Sequence, residues 1–250
     1  MTEELFRADA YLKQCEATVV FAGPEGIALD RTVFYPTGGG QPGDSGTLTL
    51  ADGRAIRISD TRKGEANGGS GILHIPENPE AAGTLSPGLS PGDTVTAAID
   101  WERRHRHMRM HTALHLMCAS VAGDVTGGQV GAERSRLDFD LPEVTFTKEE
   151  LAEKLNALIA ADHPVTARWI TDAELAAQPD LVRTLSVKPP MGAGPGANKV
   201  RLISVGEDAV DLQPCGGTHV ARTGEIGPLT VAKIENKGRQ NRRITIAFAE

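Results

Sequence analysis

At 250 residues with a formal net charge of −7, the chain is long enough for two small domains with real cores and too acidic for its whole surface to hold a polyanion, since that affinity comes from Lys and Arg neutralising phosphates. No apolar run approaches the length of a membrane span, and the N-terminus lacks the basic-then-apolar pattern of a secretory signal, so a cytoplasmic protein is expected. Three cysteines, Cys15, Cys118 and Cys215, are too sparse and odd in number for a disulfide framework, which leaves a thiolate free to be a ligand.

In chain order, residues 16–21, 27–34, 46–50 and 54–60 are short β-prone runs separated by turn signals at Gly23-Pro-Glu-Gly26 and Asp52-Gly53, the pattern of a barrel or sandwich of short strands. Between them lies Tyr35-Pro-Thr-Gly-Gly-Gly-Gln-Pro-Gly-Asp44. Gly38, Gly39 and Gly40 strip the backbone of side chains, so it can approach a ligand or offer bare N–H groups, or simply turn. Residues 63–71 are Gly-rich and polar, as at a hairpin tip, and the Pro-rich stretch 76–92 has the composition of a loop or linker. Residues 95–100 form the last strand of this unit, with a domain boundary near residue 100.

A helix is expected over residues 103–121, with His107, Met108, His111, Leu114, His115 and Cys118 on its buried face and Arg106 and Arg109 pointing away. Next come a strand at 135–141 and a helix opened by the capping box Thr147-Lys-Glu-Glu150, with Leu151, Leu155, Leu158 and Ile159 as its apolar stripe. A strand at 165–170, a second capping box Thr171-Asp-Ala-Glu174 before a short helix cut by Pro179, and a Gly/Pro loop at 189–198 follow. Strands at 200–205 and 209–212, then a pair at 229–234 and 244–248 flanking the turn Asn236-Lys-Gly-Arg-Gln-Asn241, complete an α+β layer with helices on one face of a largely antiparallel sheet.

The chemistry is in the expected helix. Residues four apart stack on one helical face, so His111 and His115 present two imidazoles to one point. Cys215 and His219, also four apart, sit in a Pro-Cys-Gly-Gly turn, and His plus thiolate is a ligand set that suits Zn²⁺. His107 and Cys118 share the helix face as rival ligands.

With Arg109-Met-His-Thr-Ala-Leu-His115 and Asp211-Leu-Gln-Pro-Cys-Gly-Gly-Thr-His219, the chain resembles the editing domain of alanyl-tRNA synthetase and its free-standing AlaX-type relatives. The stretch from Tyr35 to Gly46 is similar to the glycine-rich motif of the medium-length form, and Thr223-Gly-Glu-Ile-Gly-Pro228 and Asn236-Lys-Gly-Arg-Gln-Asn-Arg-Arg243 match later family segments. The resemblance implies an α+β protein: a small β-barrel domain at residues 1–100 and a two-layer α/β editing domain of the threonyl/alanyl-tRNA synthetase type at 101–250.

It further implies Zn²⁺ held by His111, His115, Cys215 and His219, and hydrolysis in trans of Ser-tRNA(Ala), with Gly-tRNA(Ala) as a second substrate. A metal can polarise the ester carbonyl, activate water or orient the substrate. Four protein ligands resemble a closed site, so either the ion takes a fifth ligand or His219 stands just outside as a base. Gln129 occupies the family's pocket-lining Gln-x-Gly-Ser-like stretch, here with Ala132 in place of the Ser. Thr112 and Thr218 flank ligands and are candidates to read the seryl hydroxyl. Lys233, Lys237, Arg239, Arg242 and Arg243 form a basic turn in an acidic chain, a clamp for acceptor-stem phosphates that Arg103, Arg104 and Arg106 would extend. The competing readings are a hydrolase of another small ester or amide on the same zinc fold, for which the basic turn is dispensable, and a non-catalytic tRNA-binding module with structural zinc.

Overall fold

The computed structural model describes residues 2–66, 69–78, 89–182 and 199–249. The expected loop at 189–198 lies outside them, as do residues 79–88 of the expected linker and 67–68 of the expected hairpin tip. The chain divides into two compact units, Met1–Gly38 with Pro42–His105, and Gly39–Gln41 with Arg106–Glu250.

The first unit holds β1 (Glu3–Glu4), β2 (Gln14–Gly23), β3 (Gly26–Leu29), β4 (Arg31–Thr32), β5 (Gly46–Leu50), β6 (Ala55–Ala66), β7 (Gly69–Pro76) and β8 (Thr94–Ile99). Six of them pair in the order β2-β3-β7-β6-β5-β8, and β8 returns to β2, so the sheet closes on itself. Closure removes the exposed edges that a sheet of short strands would otherwise carry. The interior is filled by Val19, Ile27, Leu29, Phe34, Leu48, Ile58, Val95 and Ala97. The expected single strand over 27–34 breaks after Leu29, because Asp30 turns the chain by bonding the Thr18 N–H through its carboxylate at 2.7 Å. The Gly-rich stretch at 63–71 is more regular than its composition suggests: Lys63, Gly64, Glu65 and Ala66 pair with Ile72, Gly71, Ser70 and Gly69. A ladder needs backbone groups, not side chains.

Two buried polar devices sit in this unit. Arg104 and Asp44 form an ion pair with no solvent exposure at the arginine side chain, and the guanidinium also donates to the carbonyls of Val33 and Ala10 at 2.6 and 3.0 Å. Arg103 donates to the Gly43 carbonyl. Both arginines are therefore spent inside the unit and do not extend a basic patch; sequence alone cannot see that Asp44 waits sixty residues upstream.

The second device is His74, fully buried, with Nδ1 donating to the Ile27 carbonyl at 2.9 Å and Nε2 accepting from the Thr32 hydroxyl at 2.8 Å.

The second unit begins inside α1 (Trp101–Ser120) and continues with β9 (Asp124–Gln129), β10 (Arg134–Asp140), α2 (Lys148–Ala160), β11 (Val165–Thr171), α3 (Asp172–Ala176), β12 (Lys199–Val205), β13 (Asp211–Pro214), β14 (Leu229–Asn236) and β15 (Asn241–Phe248). Both expected capping boxes form, at Thr147 with Glu150 and at Thr171 with Glu174. Leu151, Leu155 and Ile159 are the buried stripe of α2, and the Asn156 side-chain amide bonds both backbone groups of Leu229, fixing the helix to β14.

The expected single sheet is instead two antiparallel ones, β14-β15-β10-β9 and β11-β12-β13. The smaller sheet has its own apolar cluster, Ile170, Val200 and Leu202, covered by Leu175, Leu181 and Leu212. That separate core is why it stands apart. The one-sided burial expected for α1 is also corrected. Every residue from His107 to Cys118 except Arg109 is buried, because Met110, Ala113 and Met117 make a second apolar stripe beside the histidine face. Arg106 and Arg109 lie over the Phe248 ring at 5.4 and 4.1 Å.

Burial holds the His74 pKa down, from its usual 6.5 to about 4, with the Ile27 carbonyl pulling the other way. Because the folded value lies below the unfolded one, the unfolded chain takes up a proton first as pH falls. Stability from this residue should be complete above about pH 6.5 and drain away towards pH 4, by about 3 kcal/mol at most. Denaturant melts of the wild type and His74→Gln across this range check it: the variant should lose the one-proton share of the slope.

Candidate metal centre

Two backbone segments of the second unit supply the donors. Helix α1 stacks His111 and His115 one turn apart. Strand β13 carries the chain to Cys215, whose N–H extends the ladder by bonding the Arg201 carbonyl at 3.0 Å, and the Gly216-Gly217-Thr218 turn then brings in His219. Arg201 clamps that turn through Nη1, to the Cys215 and Gly217 carbonyls at 3.1 and 2.9 Å. Gly217 cannot carry a side chain, since a Cβ there would overlap the His111 ring. One potential donor atom from each of His111, His115, Cys215 and His219 lies within 4.8 Å of the others, a group able to hold a metal ion. His107 and Cys118, though buried on the same helix, are not part of it.

The surrounding hydrogen bonds decide how each ring is presented. The Gln41 amide faces the Thr218 N–H at 3.1 Å, and because a backbone N–H only donates, the atom facing it is Oε1. The same oxygen lies 2.8 Å from His111 Nδ1, so that nitrogen carries a hydrogen. Gln41 Nε2 in turn donates to the Thr218 hydroxyl at 2.8 Å. His115 Nδ1 donates to Asp211 Oδ2 at 2.7 Å, beside Gln213, which donates to the same carboxylate oxygen at 2.9 Å. The Thr112 hydroxyl gives its own proton to the Met108 carbonyl at 2.9 Å, so its 3.4 Å contact with His219 Nδ1 is one in which the ring donates. All three Nδ1 atoms are thus occupied outside the cluster, and the three Nε2 atoms are left for it. Those of His111 and His219 lie 3.5 and 3.3 Å from Cys215 Sγ. Outer partners of this kind fix the tautomer and orientation of metal-binding histidines.

The electrostatics match a preset site. Burial opposes charge on Cys215, but His111 and His219 outweigh it and hold the thiol well below its ordinary range. Burial also opposes charge on His115, yet Asp211 and the Cys215 sulfur raise it to about 10. Burial pushes His219 down to about 3. A metal ion bound there would take the place of protons on these donors.

The remaining expected site residues fall into distinct places. Thr112 and Thr218 are buried, Thr112 against His219 Nδ1 and Thr218 against the Gln41 amide. Gln129 is exposed at the end of β9, and the next residue, Val130, bonds the Gly40 carbonyl at 2.8 Å. Gly40 has φ +79°, and a Cβ there would press on the Gly128 carbonyl at 3.0 Å. Gly39 also has positive φ, at +56°. Gly38 accepts the Tyr35 hydroxyl in the first unit.

In the basic turn, Arg242 is buried and donates only to backbone carbonyls, including Gly238 and Arg239, so it builds the turn and cannot grip a phosphate. Arg243 pairs with Asp138 at 2.7 and 2.8 Å. Lys233 and Lys237 flank Glu235, while Arg239 is exposed. At the start of α1, Arg106 is tied to the Ala132 carbonyl at 2.8 Å. Gln41, Asp211 and Gln213 were not singled out from sequence. The signal was a Gln closing the glycine run, and an alternating Asp-x-Gln strand leading into the Cys motif.

Residues 200–245, which contain this turn, match the domain described as the threonyl and alanyl tRNA synthetase second additional domain. Residues 7–103 match the class II (A) tRNA synthetases. Over its whole length the chain is 38% identical to the alanyl-tRNA editing protein AlaX-M of Methanosarcina mazei, covering 98% of that protein. The chain belongs to the AlaX-M family of alanyl-tRNA editing proteins. A second AlaX-M, from Saccharolobus solfataricus, is 34% identical over 98% of both chains. The alanine–tRNA ligase of Methanothrix thermoacetophila is 32% identical, with this chain matching 26% of its length. Within this AlaX-M family member no described helix is long and apolar enough to cross a membrane.

If Gln41 and Asp211 orient the rings, Gln41→Leu and Asp211→Asn should each weaken metal binding about 10- to 100-fold while leaving the circular dichroism spectrum unchanged. Chelator competition measures this; wild-type affinity in both variants would make the outer bonds incidental.

Proposed function

We propose that the chain is a trans-acting hydrolase of the cytoplasm that deacylates mischarged tRNA(Ala), with Ser-tRNA(Ala) as the main substrate, Gly-tRNA(Ala) as the second, and Zn²⁺ held by His111, His115, Cys215 and His219. The observation that carries this reading is the convergence of three Nε2 atoms and a thiolate, each ring fixed from behind. A tetrahedral zinc with nitrogen and sulfur ligands has N–S edges of roughly 3.5 Å, and the two in the cluster are 3.5 and 3.3 Å. AlaX-M relatives of matching length, named for alanyl-tRNA editing, support the substrate class.

When bound, the ion would supply Lewis acidity for the ester carbonyl or for water. The chain's own residues divide the rest. His219 is the least anchored ring, held from behind at 3.4 Å where His111 and His115 are held at 2.8 and 2.7 Å. Its Nε2 is the one that would stand just outside the ion's ligand set and face the attacking water. We assign the reading of the seryl hydroxyl to Gln129, whose backbone lies against Gly40. A site that must hydrogen-bond this hydroxyl leaves its own polar groups unpaired when alanine enters, which can discriminate by roughly 10⁴ or more. Lys237, Arg239 and Arg243 contact acceptor-stem phosphates. We assign these roles to an editing domain at residues 101–250, preceded by the barrel domain at 1–100.

A deacylation assay on Ser-, Gly- and Ala-tRNA(Ala) tests the whole reading, with hydrolysis of the first two and sparing of the third expected; no turnover of any would reject it. Cys215→Ala should lose both bound zinc and activity, and full occupancy in that variant would remove Cys215 from the site. Gln129→Leu should cut serine turnover far more than zinc content. Changing Lys237, Arg239 and Arg243 together to Ala should weaken tRNA binding and flatten its salt dependence, since each phosphate contact releases counterions. An unchanged salt slope would return the turn to the category of solvated charge.

A further inference from the structure

The smaller sheet has two unlike faces. Ile170, Val200 and Leu202 form the covered one. By alternation along the strands, the other presents Asp211 and Gln213 from β13, Arg201 and Ile203 from β12, and Ala167 and Trp169 from β11, with Trp169 directly across from Arg201 and Gln213 across from Ile203. This is the face of the metal centre. Asp211 and Gln213 hold His115, and Arg201 clamps the Cys215 turn.

Trp169 is anomalous on it. Strand β11 is the outer strand of this sheet, and an indole 38% exposed, one of three exposed large apolar side chains among the described residues, stands on the catalytic face. Cys215 continues β13 opposite Arg201, so Trp169 and Cys215 are two strand spacings apart on one row, about 10 Å between backbones. Exposed aromatic surface of this kind costs solubility, whereas a flat, rigid ring beside a nucleic-acid site is a stacking platform for a base.

We propose that Trp169 stacks against the 3′-terminal nucleobase of the aminoacyl-tRNA. The inference rests on the editing reading above and adds to it a specific subsite. The base on the ribose that carries the ester lies one sugar ring from the carbonyl under attack, and the row Cys215–Arg201–Trp169 sets an aromatic surface beside the thiolate at that kind of separation. Stacking reads a π-face and not a sequence, so the platform accepts the terminal base of an acceptor end while Gln129 reads the amino acid. Trp169 is a positioning residue for the substrate and does not touch the reacting atoms.

The chain has two tryptophans, and Trp101 stacks on His105 in the first unit, so Trp101→Phe leaves Trp169 as the sole indole reporter. This full-length variant is titrated with an uncharged acceptor-stem RNA hairpin ending in CCA and with the same hairpin lacking its terminal adenosine. Saturable quenching is expected with the first, and at least about tenfold weaker with the second. Quenching that is absent, or equal for the two RNAs, overturns the proposal and leaves the exposed indole to a protein partner or to chance. Trp169→Ala should raise KM for Ser-tRNA(Ala) about tenfold with kcat and zinc content unchanged, and Trp169→Phe should restore most of the loss. An unchanged KM in the alanine variant also overturns it. Failure of the editing reading is distinguishable: the wild type would hydrolyse no aminoacyl-tRNA(Ala), whatever the hairpins do to the fluorescence.

Discussion

A half-buried cysteine sulfur surrounded by three buried imidazoles is the constraint from which the rest of the second unit follows. Four polar groups taken out of water together are tolerable only when each spare hydrogen-bonding atom has a partner. The partners come from separate places: Gln41 for His111, Asp211 for His115 and Thr112 for His219. Each is itself tied down, by the Thr218 backbone, by Gln213 and by the Met108 carbonyl. The cluster is thus one layer of a larger polar network in which every ring is turned the same way, Nδ1 outward and Nε2 inward.

That network explains residues whose types would otherwise look interchangeable. Thr112 must be a hydroxyl, since it gives to one carbonyl while receiving from His219 and from the Val220 N–H. Gln41 must be an amide, because it accepts on one side and donates on the other. Gly217 must lack a side chain because the His111 ring occupies its Cβ position. Arg201 is long enough to reach two carbonyls of the Cys215 turn from the neighbouring strand.

The cations of this chain show how charge in a sequence divides between building and binding. Arg104 neutralises Asp44 inside the first unit, and Arg242 is consumed by backbone carbonyls at the turn it appears to decorate. Arg243 is shared with Asp138, leaving Lys233, Lys237 and Arg239 as the more exposed cations of that turn. Local basicity in an acidic protein is therefore a weaker guide to a polyanion surface than the count of Lys and Arg suggests, because guanidinium groups are also the best internal clamps.

The sequence by itself determined the four residues of the candidate metal group and the family. Spacing of four puts two histidines on one turn of a helix whatever the tertiary context, and a Cys-Gly-Gly-Thr-His turn is compact enough to return its His beside its Cys. The capping boxes at Thr147 and Thr171 were equally legible, since they are local in sequence. Only the tertiary structure decided the rest. It carried Gln41 seventy positions along the chain onto His111, split the expected sheet in two, buried α1 on both sides and closed β8 onto β2. It also set Thr112 against His219 and Thr218 against Gln41. The physical reason is common to all of these: which partner satisfies a buried polar group, and which apolar stripe finds a cover, depends on segments that meet only after folding.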